Sequence, residues 1–296
     1  MTGGTGLIGS ALCAALMDAG HQVTVFSRKP AGVTKKWSGA VAAVSRLDEW
    51  HEQLDFDVII NLAGEPIVDA AWTESRKKAL WDSRVTFTGN LVRHIAARQR
   101  RPGLLLSGSA IGYYGDRGDE ALNDLSGPGN DFAAQLCLAW EQEASRAADA
   151  GVRVCLLRTG LVLSANGGLL KRMVLPFKLG LGARLGSGRQ WMSWIHIDDY
   201  VAIVMQLMAD ANAQGAFNMT APQPETNRAF TATLAGVLSR PAWLVAPSFL
   251  LTWVMGARAI LLTGGQKVLP ARLQSGGFQF RYERLDDALR ACCKRR

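Results

Sequence analysis

The sequence predicts an α/β fold, a doubly wound parallel sheet with a smaller C-terminal substrate lobe. Three observations carry this expectation. A glycine run, Gly3-Gly4-Thr5-Gly6-Leu7-Ile8-Gly9, opens the chain. Short apolar strands alternate with amphipathic helices through the first 160 residues. The alternation then loosens, and glycines and aromatics concentrate between Gly167 and Trp194. Unbroken apolar strands separated by helices form a parallel sheet covered on both faces. At 296 residues and 48% apolar content the chain can hold one large or two small domains with a full core. We divide it at 1–160, a Rossmann-type nucleotide-binding domain, and 161–296, mainly the substrate lobe.

The glycine run has the spacing of a dinucleotide-phosphate loop. Gly3 permits a tight turn out of a strand, Gly6 a close approach of backbone to pyrophosphate, and Gly9 close packing of the following helix. The helix N-terminus then offers free N–H groups and the positive end of its dipole. Gly3, Thr5, Gly6, Leu7 and Ile8 are therefore the first candidate cofactor contacts. The helix itself reads from the apolar stripe Ala11, Leu12, Ala15 and Leu16, with Gly20 as its stop. His21 to Phe26 follows as a strand. The strand expected before the glycines is almost wholly absent, because Met1 stands where its last residue belongs. This implies a true start some codons upstream, or a chain shortened there.

The end of the second strand selects the nucleotide. An acidic residue there binds the ribose 2′-hydroxyl of NAD. Here Ser27-Arg28-Lys29 supplies a hydroxyl and cations suited to a 2′-phosphate, so NADP is the expected cofactor, with Ser27 and Arg28 as contacts. Asp57 to Leu62 reads as a short buried strand closed by the small-residue turn Leu62-Ala63-Gly64-Glu65, where a nucleotide passes in an open sheet. Further along come one long helix from Glu74 to Arg98, a strand at Gly103–Ser107, a helix at Phe132–Ala148 and a strand at Val152–Leu157. Asp198–Met208 reads as a helix, Ala216–Met219 as a strand, and another helix starts at about Asn227.

Composition excludes several classes. No apolar run is long and charge-free enough to span a bilayer; the most hydrophobic stretch, Phe249 to Leu262, is interrupted by Arg258. No secretory signal is present. Five cysteines without C-x-x-C spacing point to reduced thiols and a cytoplasmic protein. No His/Cys/Asp/Glu set has metal-ligand spacing. The net charge of +8 is spread along the sequence, so it reads mainly as solvated surface, with an anionic cofactor or substrate explaining part of the rest, and not as a nucleic-acid face. A monomer or homodimer with no membrane partner is expected.

Together these pieces resemble the extended short-chain dehydrogenase/reductase superfamily, the sugar-nucleotide epimerase and dehydratase group. TGGTGLIG, NLAG, LLRTGLVL (Leu156–Leu163) and WIHIDD (Trp194–Asp199) fall in that superfamily's order. More narrowly, NLAGEPI, SGSAIGYYGD, GSGRQWMSWIHIDD and GGQKVLPARLQSGGF resemble the bacterial YfcH-like epimerase family proteins, with a DUF1731-type segment from about residue 245. The resemblance adds Arg84, Ser107, Thr159 and Gly160 to the cofactor contacts. It also implies a Ser/Thr, a Tyr-x-x-x-Lys pair and a helix asparagine for catalysis. Aligning the glutamate that follows that pair with Glu141 puts Cys137 at the lysine, Ala133 at the tyrosine and Arg84 at the asparagine. Only the hydroxyl survives, at Ser109 or Ser107, because the SGSAIGYYG segment is one residue longer than the superfamily's usual spacing, so the tyrosine mechanism does not carry over.

Ser109 and Tyr113 are the catalytic candidates, with Tyr114 and His196 as alternatives for the acid. Arg84 beside the cofactor groove suits phosphate or carboxylate; its bland alternative is a surface arginine paired with Asp82 or Glu74. Cys137 reads as packing. In the lobe, Arg189, Trp191 and His196 are substrate candidates: a guanidinium for phosphate, an indole for stacking and a histidine lining the cleft. Trp194 reads as a core anchor. The leading function is an NADP-dependent oxidoreductase or epimerase-like enzyme with a non-standard acid/base. The second is a non-catalytic NADP-binding sensor or scaffold.

Overall fold

The computed structural model describes residues 1–50 and 54–294. Its main sheet is parallel throughout. Across it run Ala42–Val44, Thr24–Phe26, the single residue Thr2, Val58–Asn61, Leu104–Ala110, Arg153–Thr159 and Gly215–Met219. The predicted fold class holds. The first strand has shrunk to Thr2, which bridges Phe26 on one side and Asn61 on the other. The chain winds outward from Thr2 in one direction and then returns to its other side. Thr2 therefore marks the topological switch point, beside which open α/β sheets take their ligands.

Two apolar layers cover the sheet, and strand alternation decides which residue faces which. Leu104, Leu106, Cys155 and Leu157 pack with Leu12, Leu16, Tyr200, Ile203 and Leu207 of the helices Leu7–Asp18 and Ile197–Ala209. Leu105, Val154 and Leu156 face the other way, against Leu91, Val92, Ile95 and Ala144 of Phe87–Ala96 and Phe132–Ser145. This period of two within continuous apolar runs is that of strands buried on both faces. Two of these elements, Ile197–Ala209 and Gly215–Met219, come from beyond residue 160. The remaining C-terminal segments have their own core around Trp194, Phe230, Leu234, Tyr282 and Leu289.

The Leu7–Asp18 helix ends as its sequence predicts. Gly20 adopts φ +82°, its N–H bonds to Met17 O and that of His21 to Leu16 O, each at 2.9 Å, satisfying the last carbonyls. The segment expected as one helix from Glu74 to Arg98 is instead three pieces: Glu74–Trp81, a π-helical turn at Asp82–Thr86, and Phe87–Ala96. A π turn inside a helix re-aims side chains and recurs at functional sites. Here it contains Arg84.

Thr2 replaces the lost strand with side-chain bonds. Its hydroxyl donates to Asn61 Oδ1 at 2.7 Å and accepts from the N–H groups of Leu62 (3.1 Å) and Ala63 (3.0 Å). Thr2→Val keeps the shape and removes all three bonds, leaving buried polar groups unsatisfied. The expected loss is about 1–3 kcal/mol in urea denaturation, with Thr2→Ser near the parent. Equal stability of Thr2→Val and parent would show that the hydroxyl does not hold this turn.

Candidate functional site

Because the sheet is parallel, the C-terminal ends of its strands share one edge. Along it lie, in spatial order, Ser27-Arg28, the loop after Thr2, the Leu62–Glu65 turn, the Ile111–Tyr114 turn and Gly160. The predicted cofactor residues are thus gathered by topology, not by sequence proximity. From Arg28 to Tyr113 is three strand spacings, roughly 14 Å at the usual separation.

The loop has the shape a phosphate group needs. Gly3 sits at φ +67°, and a Cβ there would stand 2.6 Å from the Leu62 carbonyl oxygen. Gly6 caps the helix with no side-chain partner, and Leu7 and Ile8 form its first turn, beside exposed Thr5. The first N–H groups therefore point toward the edge. Ser107, buried in the strand beside Asn61, has an Oγ with no partner among the described residues. An orphaned buried hydroxyl and an open helix N-terminus both fit a bound dinucleotide. Thr159 is tied to Tyr200 (Oγ1 to hydroxyl oxygen, 3.2 Å), and the Gly160 N–H bonds to Met219 O.

Arg84 turns toward this edge. Its guanidinium donates to the Glu65 carbonyl at 2.8 Å and lies 5.5 Å from the Trp140 ring. It also covers Gly64, where a Cβ would meet the guanidinium carbon at 2.9 Å. Asp82 and Glu74, the partners of the bland alternative, are engaged by Lys78 and Lys77. Burial lowers the pKa of Arg84, so it is a partly desolvated charge. The Glu65 carboxylate draws two further cations, Arg28 at 3.3 Å and Arg76 at 3.5 Å. Three guanidinium groups thus surround one turn of the nucleotide edge.

The catalytic candidates meet a network that the sequence reading missed. Arg158 and Glu141 form a buried bidentate pair, Nε to Oε1 and a terminal nitrogen to Oε2, both at 2.9 Å. Ser109 donates to Glu141 Oε1 at 2.6 Å. Arg158 also donates to the Tyr114 hydroxyl at 3.0 Å and to the Asp124 carbonyl at 3.1 Å, and its guanidinium lies 3.6 Å from the Tyr113 ring centroid. Burial works against the charge on Arg158, but the Glu141 bonds outweigh it and raise its pKa. Tyr113 also titrates above the usual tyrosine range: burial raises it and Arg158 only partly offsets this. Tyr114 donates to Asn218 at 2.6 Å and is pushed up to about 12, mainly by burial, as a packing residue would be. An arginine directly after the apolar run Val154–Leu157, within the same strand, was the available signal, since a buried strand arginine requires a buried anion.

Cys137 is an inert thiol. Burial pushes its pKa up to about 12. Ala133 and Cys137 face the Ile111–Tyr114 turn at Gly112. Restoring the superfamily's residues, Ala133→Tyr with Cys137→Lys, puts an ammonium in this buried site beside the Arg84 charge. The double variant is expected to gain no strong epimerase activity on sugar nucleotides. Efficient turnover would show a pocket still configured for the usual mechanism.

In the smaller lobe, His196 caps the Ile197–Ala209 helix. Its Nδ1 accepts from the Asp198 N–H at 3.1 Å, and its ring stacks 3.9 Å from that of Tyr282. Trp191 is half-buried, donates to Asp119 Oδ1 at 2.7 Å and lies under Lys267. Trp194 is fully buried and bonded to the Gln223 carbonyl, the expected anchor. Arg189 is exposed. A cavity of about 670 Å³ lined by Gly89, Arg93, Arg101, Glu143 and Arg146 holds none of these residues. Among the described residues no His/Cys/Asp/Glu cluster could hold a metal ion.

An open parallel sheet with a glycine loop at its switch point and a furnished C-terminal edge defines the class: a dinucleotide-binding α/β protein. The chain belongs to the NAD dependent epimerase/dehydratase family, whose model matches residues 1–220, and residues 246–292 match DUF1731, a domain of unknown function. It is 39% identical to an epimerase family protein of Mycobacterium bovis, covering 98% of this chain and 95% of that one. It is 37% identical to the chloroplastic SDR39U1 homolog of Arabidopsis thaliana, covering 98% and 85%. The crystal structure of human epimerase family protein SDR39U1 with NADPH superposes with a TM-score of 0.91 at 33% identity, covering 100% and 98%. A UDP-galactose 4-epimerase, at 18% identity and TM-score 0.73, shares the fold.

Proposed function

We propose that the chain is an NADP(H)-dependent oxidoreductase or epimerase-like enzyme in which Tyr113 is the acid. The observation that carries this is the Tyr113 phenol at the strand-end edge, held under Arg158 at 3.6 Å, with burial raising its pKa further above neutrality. A phenol in this state gives a proton to an oxygen that gains charge. Ser109 has committed its own proton to Glu141, so its lone pairs are left to orient a substrate hydroxyl. Arg84 holds negative charge on cofactor or substrate. Gly3, Gly6, the Leu7 turn and Ser107 would hold the dinucleotide, with Ser27 and Arg28 on its 2′-phosphate. That cofactor supplies hydride exchange when bound. NADPH accompanying the human relative in its structure supports the choice of nucleotide. Arg84, Arg189 and Trp191 favour an anionic substrate with a ring.

A second reading, an NADP(H) sensor without turnover, is favoured by the residues at the superfamily's tyrosine and lysine positions: Ala133 has no acid and Cys137 is a neutral thiol. NADPH absorbance across a panel of carbonyl compounds and sugar nucleotides separates the two. The enzyme reading expects substrate-dependent loss of NADPH. Tight NADPH binding with no loss for any compound supports the sensor.

A further inference from the structure

The C-terminal lobe carries an apolar surface that its own core does not cover. In the helix Ser248–Met255 no residue is buried. Phe249, Leu250, Trp253 and Val254, at spacings i, i+1, i+4 and i+5, share one face and are 76%, 42%, 83% and 64% exposed. Ser248 and Thr252 are the only polar side chains of this helix, so a helix that is apolar nearly all round stands at the surface, the reverse of a surface helix docked on its own core. Nearby strands extend the surface. Leu244–Ala246 pairs in parallel with Ala183–Leu185, joining exposed Trp243, Leu244 and Val245 to the segment that carries Leu175, Leu179 and Leu181. Among the described residues, eleven of the fourteen exposed large hydrophobic side chains lie in residues 168–185 and 239–263.

The charges in these two segments are all of one sign. They contain Lys171, Arg172, Lys178, Arg184, Arg240 and Arg258, and no Asp or Glu. Among the described residues Arg172 alone of the six is salt-bridged, to Asp69, while Arg184 and Arg258 donate to carbonyls. A dry partner core would meet unpaired cations here, whereas a surface with an apolar interior and an anionic rim satisfies both features. Exposed indoles beside Lys and Arg are the side chains that sit at the headgroup level of a bilayer. No helix among the described residues is long and apolar enough to cross a membrane, so the contact lies in the plane of the interface. We propose that this face docks the protein on an anionic lipid surface, with Phe249 and Trp253 inserted and exposed Lys171, Lys178 and Arg240 on the headgroups. This departs from the sequence expectation of no membrane partner, which rested on the lack of a spanning segment.

The test is sedimentation of the full chain with phosphatidylcholine vesicles, with and without phosphatidylglycerol. Binding is expected only with the anionic lipid and should weaken with salt. Phe249→Ser/Trp253→Ser should reduce it at least tenfold, and Lys171→Gln/Lys178→Gln should weaken it roughly fivefold per cation. Both pairs are exposed or outside the nucleotide edge, so NADPH affinity and melting temperature serve as controls of folding and should not move. No binding to either vesicle would overturn the proposal. So would a concentration-dependent dimer abolished by Phe249→Ser/Trp253→Ser, because a second copy would then cover the face.

Discussion

Glu141→Leu is expected to destabilise the protein by about 3–5 kcal/mol, the usual result of removing one partner of a buried ion pair. Arg158 would keep its charge in a site that is almost fully buried, with its remaining bonds going to the neutral Tyr114 hydroxyl and Asp124 carbonyl. Ser109 would lose its Glu141 acceptor as well. The pair itself is a different matter, because a hydrophobic replacement of both charges avoids the orphan. Glu141→Leu/Arg158→Met should therefore be more stable than Glu141→Leu. Urea denaturation monitored by tryptophan fluorescence reads both. A single variant as stable as the parent would mean that Arg158 finds another anion, and the account of the network would be wrong.

Tyr113→Phe is expected to reduce turnover at least tenfold, within the 10²–10⁴-fold range of a positioned acid. NADPH affinity should hardly change. The substitution keeps the ring under Arg158 and removes only the phenolic oxygen. Because the Tyr113 pKa is raised, the acid form persists as pH increases through the ordinary tyrosine range near 10. A proton-donating Tyr113 therefore predicts a rate that does not fall off at that pH. Single-turnover hydride transfer on a reactive substrate measures both effects. Full activity of Tyr113→Phe would move the acid to another group.

Much of the nucleotide edge was legible in the sequence because it depends on local rules. Glycines at fixed offsets set the loop, and apolar runs ending in small residues set the strand ends. Less local features were hidden. The π turn at Asp82–Thr86 has the same composition as ordinary helix, and what distinguishes it is the reach of Arg84 to the Glu65 carbonyl, nineteen residues away. The first strand could shrink to Thr2 because a hydroxyl replaces backbone bonds, which hydrophobic periodicity cannot reveal. Glu141 was recognised only as a landmark; its function as anion for Arg158 and Ser109 needed three elements brought together. His196 illustrates the limits of a motif. Its sequence context left a cleft residue and a hydrogen-bonded core histidine equally open, and its Nδ1 serves as a helix cap.

NADP(H) binding at this edge is expected to depend on Arg28. In the structure Arg28 is 88% exposed and meets Glu65 at 3.3 Å, a weak surface contact that a phosphate can displace. Hydrogen bonds between charged partners are commonly worth about 1.5–3 kcal/mol. Titration of NADPH and NADH against the parent and Arg28→Ala tests the claim most directly. The parent is expected to bind NADPH more tightly than NADH, and the variant to lose at least tenfold for NADPH alone. Equal affinities in the parent, or equal losses for both nucleotides, would contradict it.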